Sequence, residues 1–170
     1  DIEKNKITLE TVTYNTGLMK LFDEILINAV DNYQRDKGTN KIDIEINEEF
    51  ISVKNNGESI PIETTECLTD KGMTTMYIPE MIFTQLRSGS NFKEKGKRTH
   101  TTVGGKNGIG CKIVSIFSKT FLIDIVNKRK RYKQKVEDST KKIHEPKITD
   151  CLNDDYVKIT FAPDNALLKN

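Results

Sequence analysis

A glycine-rich segment, residues 104–112, is the strongest candidate for chemistry in this sequence. It holds four glycines in the seven residues from Gly104 to Gly110 and stands just before an apolar pattern of helical spacing. Free backbone N–H groups and the positive end of a helix dipole can surround a polyphosphate, and Lys106 and Lys112 can add charge. The segment therefore predicts a phosphate-binding loop, with a flexible glycine-rich loop as the alternative.

Other familiar sites are excluded by spacing. The sequence contains no G-x-x-x-x-G-K-[ST], and its glycines do not fit the G-x-G-x-x-G that follows a first parallel strand, so neither a P-loop nor a Rossmann site is expected. The two histidines, His100 and His144, have no cysteine or second histidine at metal-ligand spacing. We expect both histidines to be surface residues.

A second polar set lies within residues 18–35, whose apolar positions predict an amphipathic helix. The expected core-facing stripe consists of Phe22, Ile25, Leu26, Ala29, Val30 and Tyr33. Four polar residues at offsets of four, seven and eight share a face roughly opposite this stripe: Glu24, Asn28, Asp31 and Asn32. A carboxylate and two amides thus face the same way, although an ordinary solvated helix face has the same pattern.

The next segment predicts an antiparallel hairpin that ends in a polar turn. Ile42, Ile44 and Ile46 alternate with polar residues, and residues 51–53 do so again after a turn near Glu48. The second strand ends at Asn55-Asn56-Gly57, where the glycine would let the backbone approach a ligand closely. Asn-Gly is also common in ordinary hairpins, so a plain turn is the alternative.

The rest of the chain mixes helices with strands. Pro79 favours the first turn of a short helix that stops near Ser88, and a third helix is expected within residues 113–117. Residues 88–103 are polar and predict a long exposed loop. Strands are expected at residues 121–127, 131–137 and 156–161.

This order of elements predicts the fold class. Antiparallel hairpins with helices that can gather on one face indicate an α+β fold, a two-layer sandwich of a mixed, mostly antiparallel sheet with the helices on one side. With 170 residues, of which 35% are hydrophobic and 31% charged, the chain has enough apolar surface for one core. We expect a single domain over residues 1–170.

The charge and cysteine content exclude several classes of function. A net charge of +2 is not that of a dedicated DNA clamp, so any basic surface must be local. One basic stretch spans residues 128–135, where strand alternation would spread its charges over an exposed hairpin, and a merely solvated hairpin is the simpler alternative.

Three cysteines without a CxxC pair argue against a disulfide framework or a zinc site and indicate a reducing compartment. No run of about 18 apolar residues exists that would cross a membrane.

Three segments, taken in order, are similar to the ATP-site motifs of the GHKL ATPases, the superfamily that joins gyrase-type topoisomerases, heat-shock chaperones, histidine kinases and mismatch-repair ATPases. They are residues 22–32, 53–61 and 104–112. Within that superfamily, residues 77–83, Ser90-Asn91 and residues 104–108 most resemble the eukaryotic type IIA DNA topoisomerases. Residues 116–118, 146–149 and 158–164 extend the resemblance, which runs from about Val12 to Asp164.

The resemblance implies the Bergerat fold of these ATPases, with ATP and Mg²⁺ as cofactors and a role for each matching residue. Glu24 would be the general base that activates the attacking water, and Asn28 would bind the magnesium ion. Asn55 would contact the adenine amino group, and Asn32 would lie beside the phosphates. The ribose and triphosphate contacts would come from Ser90, Asn91, Lys106, Asn107, Gly108, Ile109, Gly110 and Lys112. Asp31 would support the site rather than carry out chemistry.

The sequence departs from the family pattern at particular positions. Ser59 stands where the family usually has a second glycine, and Gly89 stands where it usually has a serine. Lys106 replaces the usual arginine, and Ile109 replaces the usual tyrosine. Lysine cannot reproduce a bidentate arginine contact to phosphate, and serine stiffens a turn relative to glycine. Residues 64–76 are longer than the pattern expects, and no function is assigned to them.

For the whole protein, the resemblance implies the ATP-hydrolysing gate of a topoisomerase that passes duplex DNA and closes as a homodimer. It would work inside the cell, in the nucleus for a cellular enzyme or in the cytoplasm for a viral one. By the family pattern an N-terminal arm would precede Asp1 and a transducer domain would follow Asn170, so a fragment is expected. Two alternatives stay open: another GHKL ATPase, from mismatch repair or the chaperones, and a nucleotide-binding module without turnover.

Overall fold

The computed structural model describes residues 9, 11–69, 72–85 and 109–168, which form three helices and nine strands. The helices are α1 (Thr16–Arg35), α2 (Ile78–Thr84) and α3 (Gly110–Ile116). The strands are β1 (Ile42–Ile46), β2 (Ile51–Asn56), β3 (Thr64–Thr69), β4 (Gly72–Tyr77), β5 (Ser118–Asn127), β6 (Lys130–Glu137), β7 (Lys142–Ile143), β8 (Lys147–Asp150) and β9 (Tyr156–Pro163). The loop predicted at residues 88–103 lies outside the described residues.

Seven of the described strands form one sheet, in the order β1-β2-β9-β5-β6-β7, with β8 also paired to β6. Each described pairing is antiparallel. The predicted fold class is confirmed, because this antiparallel sheet and its helices form the expected α+β sandwich. Strand β9 lies between β2 and β5 and pairs with both. It thereby joins the hairpin β1–β2 to the hairpin β5–β6 in one sheet.

The core lies between the helices and one face of the sheet. Along β5 the side chains of Phe121, Ile123 and Ile125 are buried, and their intervening neighbours point to the opposite face because strand side chains alternate. Helix α1 contributes Leu21 and Ile25 to the same cluster. The β-strand period thus separates a buried face from a second face that carries most of the sheet's charged residues.

The orientation of α1 differs from the predicted one. Leu21, Ile25 and Ala29 are buried, whereas Val30 and Tyr33, which were expected in the core, are exposed, Tyr33 by 59%. The polar residues Asn28 and Asn32 do not lie opposite the buried stripe but border it. The prediction failed because α1 borders a cavity, and a helix beside a cavity can turn polar side chains toward the sheet without leaving them in an apolar core.

The unassigned residues 64–76 contain most of a separate two-stranded hairpin, β3 and β4, whose Cys67 and Met76 pack on Met81 of α2. Helix α2 ends at Thr84 rather than near Ser88. Helix α3 begins at Gly110, before the expected start, so the end of the glycine-rich segment is its first turn. The short strands β7 and β8 were not predicted, since each is at most four residues long.

Replacing Leu21 by alanine tests which face of α1 is the core face. We expect Leu21→Ala to lower the free energy of unfolding by about 2–5 kcal/mol, the usual effect of emptying a well-packed site. Tyr33→Ala is the matched control on the exposed face and should change it by less than about 0.5 kcal/mol. Urea unfolding measures both variants, and an equal or larger loss for Tyr33→Ala would contradict the orientation described here.

Candidate nucleotide site

A cavity of about 460 Å³ opens between α1, the ends of β2 and β9, and helices α2 and α3. Its lining includes the apolar residues Val53, Ile82, Phe83, Val157 and Ile159. It also includes the polar residues Asn28, Asp31, Asn32, Arg35, Asn55, Glu58 and Ser59. A mostly apolar cleft with a few convergent polar groups is the usual form of a small-molecule site.

Three predicted site residues meet at this cavity. Asn28 and Asn32 line it from α1, and Asn55 lines it from β2. Asn55 is only 5% exposed, and its Nδ2 donates to the Asn56 carbonyl oxygen over 3.2 Å. A buried amide at the end of an apolar cleft can recognise the polar edge of a planar base. Asp31 also lines the cavity and is buried.

Glu24 lies one turn before Asn28, with its two carboxylate oxygens in different surroundings. Oε1 accepts a 2.6 Å ion pair from Lys20 Nζ, one turn earlier on α1, and this contact raises the pKa of Lys20. Oε2 lies against Gly110 at the start of α3, where an added Cβ would overlap it and would stand 2.7 Å from the Glu24 carboxyl carbon. A side chain at position 110 would therefore displace the Glu24 carboxylate from this position.

The Asp36 carboxylate, just after α1, connects three segments beside the cavity. Oδ2 accepts from the backbone N of Glu58 over 2.7 Å and from Thr39 Oγ1 over 3.0 Å, while Oδ1 accepts from the backbone N of Gly38 over 2.9 Å. The Glu58 and Gly38 bonds, in that order, lower the pKa of Asp36. One side chain thus ties the end of α1 to the turn that follows β2.

Asn32 belongs to the same network. Its Nδ2 donates to Thr39 Oγ1 over 3.0 Å and to the carbonyl oxygen of Glu58 over 2.8 Å. The amide nitrogen of Asn32 is therefore engaged within the protein, and Asn32 holds the turn beside the cavity as well as lining it.

Gly57 is explained by contacts within the protein. It has a φ of +93°, and an added Cβ would overlap Thr39 Oγ1 and lie 2.6 Å from Asp36 Oδ2. The turn after β2 thus needs glycine for its close approach to Asp36 and Thr39. Ser59, which replaces the usual second glycine, donates from its hydroxyl to the Val126 carbonyl oxygen over 2.6 Å.

The remaining predicted residues are divided between described and undescribed parts of the chain. Lys112 does not line the cavity and is only 2% exposed. This burial lowers the pKa of its ammonium group. Ile109 is partly exposed beside Gly110. Ser90, Asn91, Lys106, Asn107 and Gly108 lie outside the described residues.

Sequence reasoning missed Asp36 and Thr39. The signal was present, because Asp-x-Gly is a turn pattern in which the aspartate side chain bonds the backbone two residues on. It missed Cys111 as well, whose thiol lines the cavity and donates to the Ile82 carbonyl oxygen over 3.6 Å. Burial raises the pKa of Cys111 to about 11, so this thiol stays protonated near neutral pH.

Among the residues that the structure describes, no group of three or more histidine, cysteine, aspartate or glutamate side chains is placed to hold a metal ion. In the same part of the chain, no helix is long and apolar enough to cross a membrane.

Comparison with known proteins gives one family over most of the chain. Residues 13–142 match the family described as histidine kinase-, DNA gyrase B-, and HSP90-like ATPase. DNA topoisomerase 2 of Saccharomyces cerevisiae is 42% identical over 168 residues, which cover 96% of this chain and 11% of the relative. DNA topoisomerase 2 of Arabidopsis thaliana is 40% identical over 167 residues, covering 95% of this chain and 11% of the relative.

The solved structures agree with the sequence comparison. The ATPase region of Saccharomyces cerevisiae topoisomerase II bound to ICRF-187 superimposes with a TM-score of 0.81 and 39% identity, over 100% of this chain and 44% of that one. The chain therefore spans about a tenth of the curated relatives' length. The resemblance to topoisomerase II ATPase regions that the motifs indicated is confirmed.

Asp36→Asn tests the carboxylate network through its pH dependence. A pKa lowered by folding gives stability that is fully present above the ordinary value of 3.8 and is lost as the pH falls toward the lowered value. Asp36→Asn removes this contribution, so it should be less stable than the wild type at pH 7 and lose less stability between pH 5 and pH 3. Urea unfolding at each pH measures this, with exposed Asp154→Asn as control. Parallel pH profiles for the wild type and Asp36→Asn would contradict it.

Proposed function

We propose, from the premise that this chain belongs to the histidine kinase-, DNA gyrase B-, and HSP90-like ATPase family, that it binds and hydrolyses ATP as the gate domain of a type II DNA topoisomerase. The observation that carries the proposal is the meeting of Asn28, Asn32 and Asn55 at one cavity, with the Glu24 carboxylate beside it. The relatives reported above are topoisomerases, which favours this function over mismatch repair or a chaperone.

The cavity suits a nucleotide because its lining combines apolar with polar residues. The apolar residues Val53, Phe83 and Ile159 offer a surface for the planar base. Asn55 adds an amide that both donates and accepts hydrogen bonds, which matches the amino group and ring nitrogen of adenine. Asn28 and Asn32 lie on α1, toward Glu24, so the phosphates extend in that direction.

Glu24 is the general base in this proposal. Hydrolysis of a phosphoanhydride needs a water molecule that is oriented in line and loses its proton as it attacks. The Oε1 atom of Glu24 pairs with exposed Lys20, and its Oε2 atom faces Gly110 at the start of α3. One proton passes from the water to this carboxylate as the new bond to the terminal phosphorus forms and the bond from that phosphorus to the bridging oxygen breaks, which releases ADP and phosphate.

Magnesium fits the donors that are present. Mg²⁺ in nucleotide sites keeps several waters and takes few protein ligands in addition to phosphate oxygens, so one amide oxygen without a carboxylate cluster is sufficient. Asn28, which lines the cavity and is exposed to solvent, would supply that oxygen. The ion, when bound, would offset the charge that develops on the phosphate oxygens.

The triphosphate contacts complete the proposed site. We assign Ser90 and Asn91 to the ribose and phosphates, and Lys106, Asn107, Gly108, Ile109 and Gly110 to the triphosphate. These assignments rest on the family resemblance and on the position of Ile109 and Gly110 next to Glu24. Lys112 gains no support from the structure, because its buried side chain does not line the cavity.

The relatives are several times longer than this chain, so the activity of the whole enzyme is part of the proposal. In it, ATP binding closes a gate between two protomers of a homodimer, and hydrolysis reopens the gate for passage of duplex DNA. The chain would act as one ATPase domain beside an N-terminal arm and a transducer domain. Such an enzyme works where its DNA lies, in the nucleus for a cellular eukaryote.

Replacing Glu24 by glutamine separates binding from hydrolysis. We expect Glu24→Gln to keep nucleotide affinity largely unchanged and to lower ATP hydrolysis by the full-length enzyme about 10²-fold or more, because an amide cannot accept the water's proton. Asp23→Asn, which removes a neighbouring carboxylate of α1, is the control and should keep near-normal turnover. Calorimetry and a phosphate-release assay give the two quantities. Near-normal hydrolysis by Glu24→Gln would remove Glu24 from this role.

Asn28→Ala should weaken magnesium-dependent nucleotide binding itself, since a metal ligand acts before the chemical step as well as during it. Titration calorimetry with ATP analogue, with and without Mg²⁺, measures the effect. Gln34→Ala, an exposed residue of the same helix, is the matched control. A folded Asn28→Ala variant with unchanged magnesium-dependent affinity would show that Asn28 does not hold the ion.

A further inference from the structure

The face of the sheet turned away from the helices carries a row of charged residues. Strand register places one residue of each of six strands side by side along this row: Asp43, Lys54, Lys158, Asp124, Lys133 and Lys147. Their neighbours in sequence, such as Val53, Ile123 and Tyr132, are buried on the helix side, so strand alternation directs the row to the other face. We call this surface the open face.

The open face is exposed to solvent at its centre. Leu122 of central strand β5 lies on it and is 38% exposed, and the side chain of Lys133 on the next strand is 52% exposed. The basic stretch predicted within residues 128–135 also reaches this surface. Arg131, Lys133 and Lys135 alternate with buried Tyr132, Gln134 and Val136, as expected for a hairpin strand.

Most of the acidic charge on the open face is already neutralised. Asp124 accepts two bonds from Arg131, over 2.9 and 2.6 Å, one from the Tyr156 hydroxyl over 3.0 Å, and lies 3.8 Å from Lys133. Glu137, at the far end of β6, is paired with Lys135 and Lys142. The lysines that are not paired with these carboxylates therefore make the net charge of the open face positive.

Three lysines of the row keep their charge available. In the described part of the chain, no carboxylate lies within 4.0 Å of the ammonium group of Lys54, Lys147 or Lys158. Lys54 is held on the open face by the ring of Tyr156, 4.3 Å from its Nζ.

We infer that the open face binds the phosphate backbone of duplex DNA, an inference that rests on the proposed function. Adjacent strands are about 4.8 Å apart, so the row from Lys54 on β2 to Lys147 on β8 spans about 19 Å. Phosphates of one DNA strand advance by about 3.4 Å each, so the row extends along five or six of them. Binding at a membrane surface needs an exposed apolar face as well, whereas the row of the open face consists of charged residues.

The test uses this chain and a fluorescein-labelled duplex of 20 base pairs, without nucleotide, in about 50 mM salt. The variant Lys133→Gln/Lys147→Gln/Lys158→Gln should bind about tenfold or more weakly, and its slope of log affinity against log salt should fall by about one for each lysine removed. The control Lys37→Gln/Lys119→Gln/Lys141→Gln removes the same charge at exposed positions outside the row. It should keep affinity and slope within about twofold of the wild type.

Each other outcome overturns the inference. Equal losses in the two triple variants would show a general charge effect, and a wild-type chain without duplex binding at this salt would show that no such surface exists. Stronger binding to phosphatidylserine vesicles than to duplex would assign the face to a membrane. ATP affinity, measured separately on each variant, keeps this test apart from that of the ATPase site, because a chain that binds ATP but not DNA contradicts only the inference about the open face.

Discussion

The tie between the end of α1 and the turn after β2 is the constraint on which the candidate site depends. Both elements supply cavity residues, Asn32 from the helix and Asn55 from the strand, and they are joined by the Asp36 carboxylate and the amide of Asn32. Hydrogen bonds to a charged acceptor are among the stronger ones in proteins, and they act here over a sequence separation of 22 residues. The tie adds to the core packing that α1 and β2 share, and it joins the ends of the two elements beside the cavity.

Contacts within the protein explain the lack of a side chain at two glycines beside the site. Gly57 adopts positive φ because Thr39 and Asp36 occupy the space of a side chain, and Gly110 leaves room for the Glu24 carboxylate. Each glycine removes a Cβ where one segment approaches another closely. Ser59 adds a bond to the end of β5 through the Val126 carbonyl oxygen, which holds the turn after β2 from the other side. Gly57 and Gly110 thus serve contacts between elements of the protein.

The strands and the family could be predicted from the sequence, through residue alternation and motifs. The rotation of α1 about its axis could not. The alternation of Ile42, Ile44 and Ile46 fixed a hairpin, since a period of two has few other solutions. On α1, hydrophobicity correctly placed Ile25 and Ala29 in the core-facing stripe, but it also placed Val30 and Tyr33 there, which are exposed, and it left out Leu21, which is buried. The rotation depends on the cavity, which is formed by β2, β9 and α3 and has no local signature. Lys112 shows the same limit, since its motif predicts a phosphate contact and its packing buries it.

The sheet also relates the two proposed binding surfaces to each other. On β2, Asn55 points into the cavity, whereas its neighbour Lys54 points to the open face, because successive strand residues alternate. On β9, Val157 lines the cavity and Lys158 lies in the charged row. A shift of either strand by one residue would exchange the two sets, and the buried partners Val53 and Ile159 oppose such a shift. The packing that positions the nucleotide cavity therefore also positions the lysines on the opposite side of the same two strands.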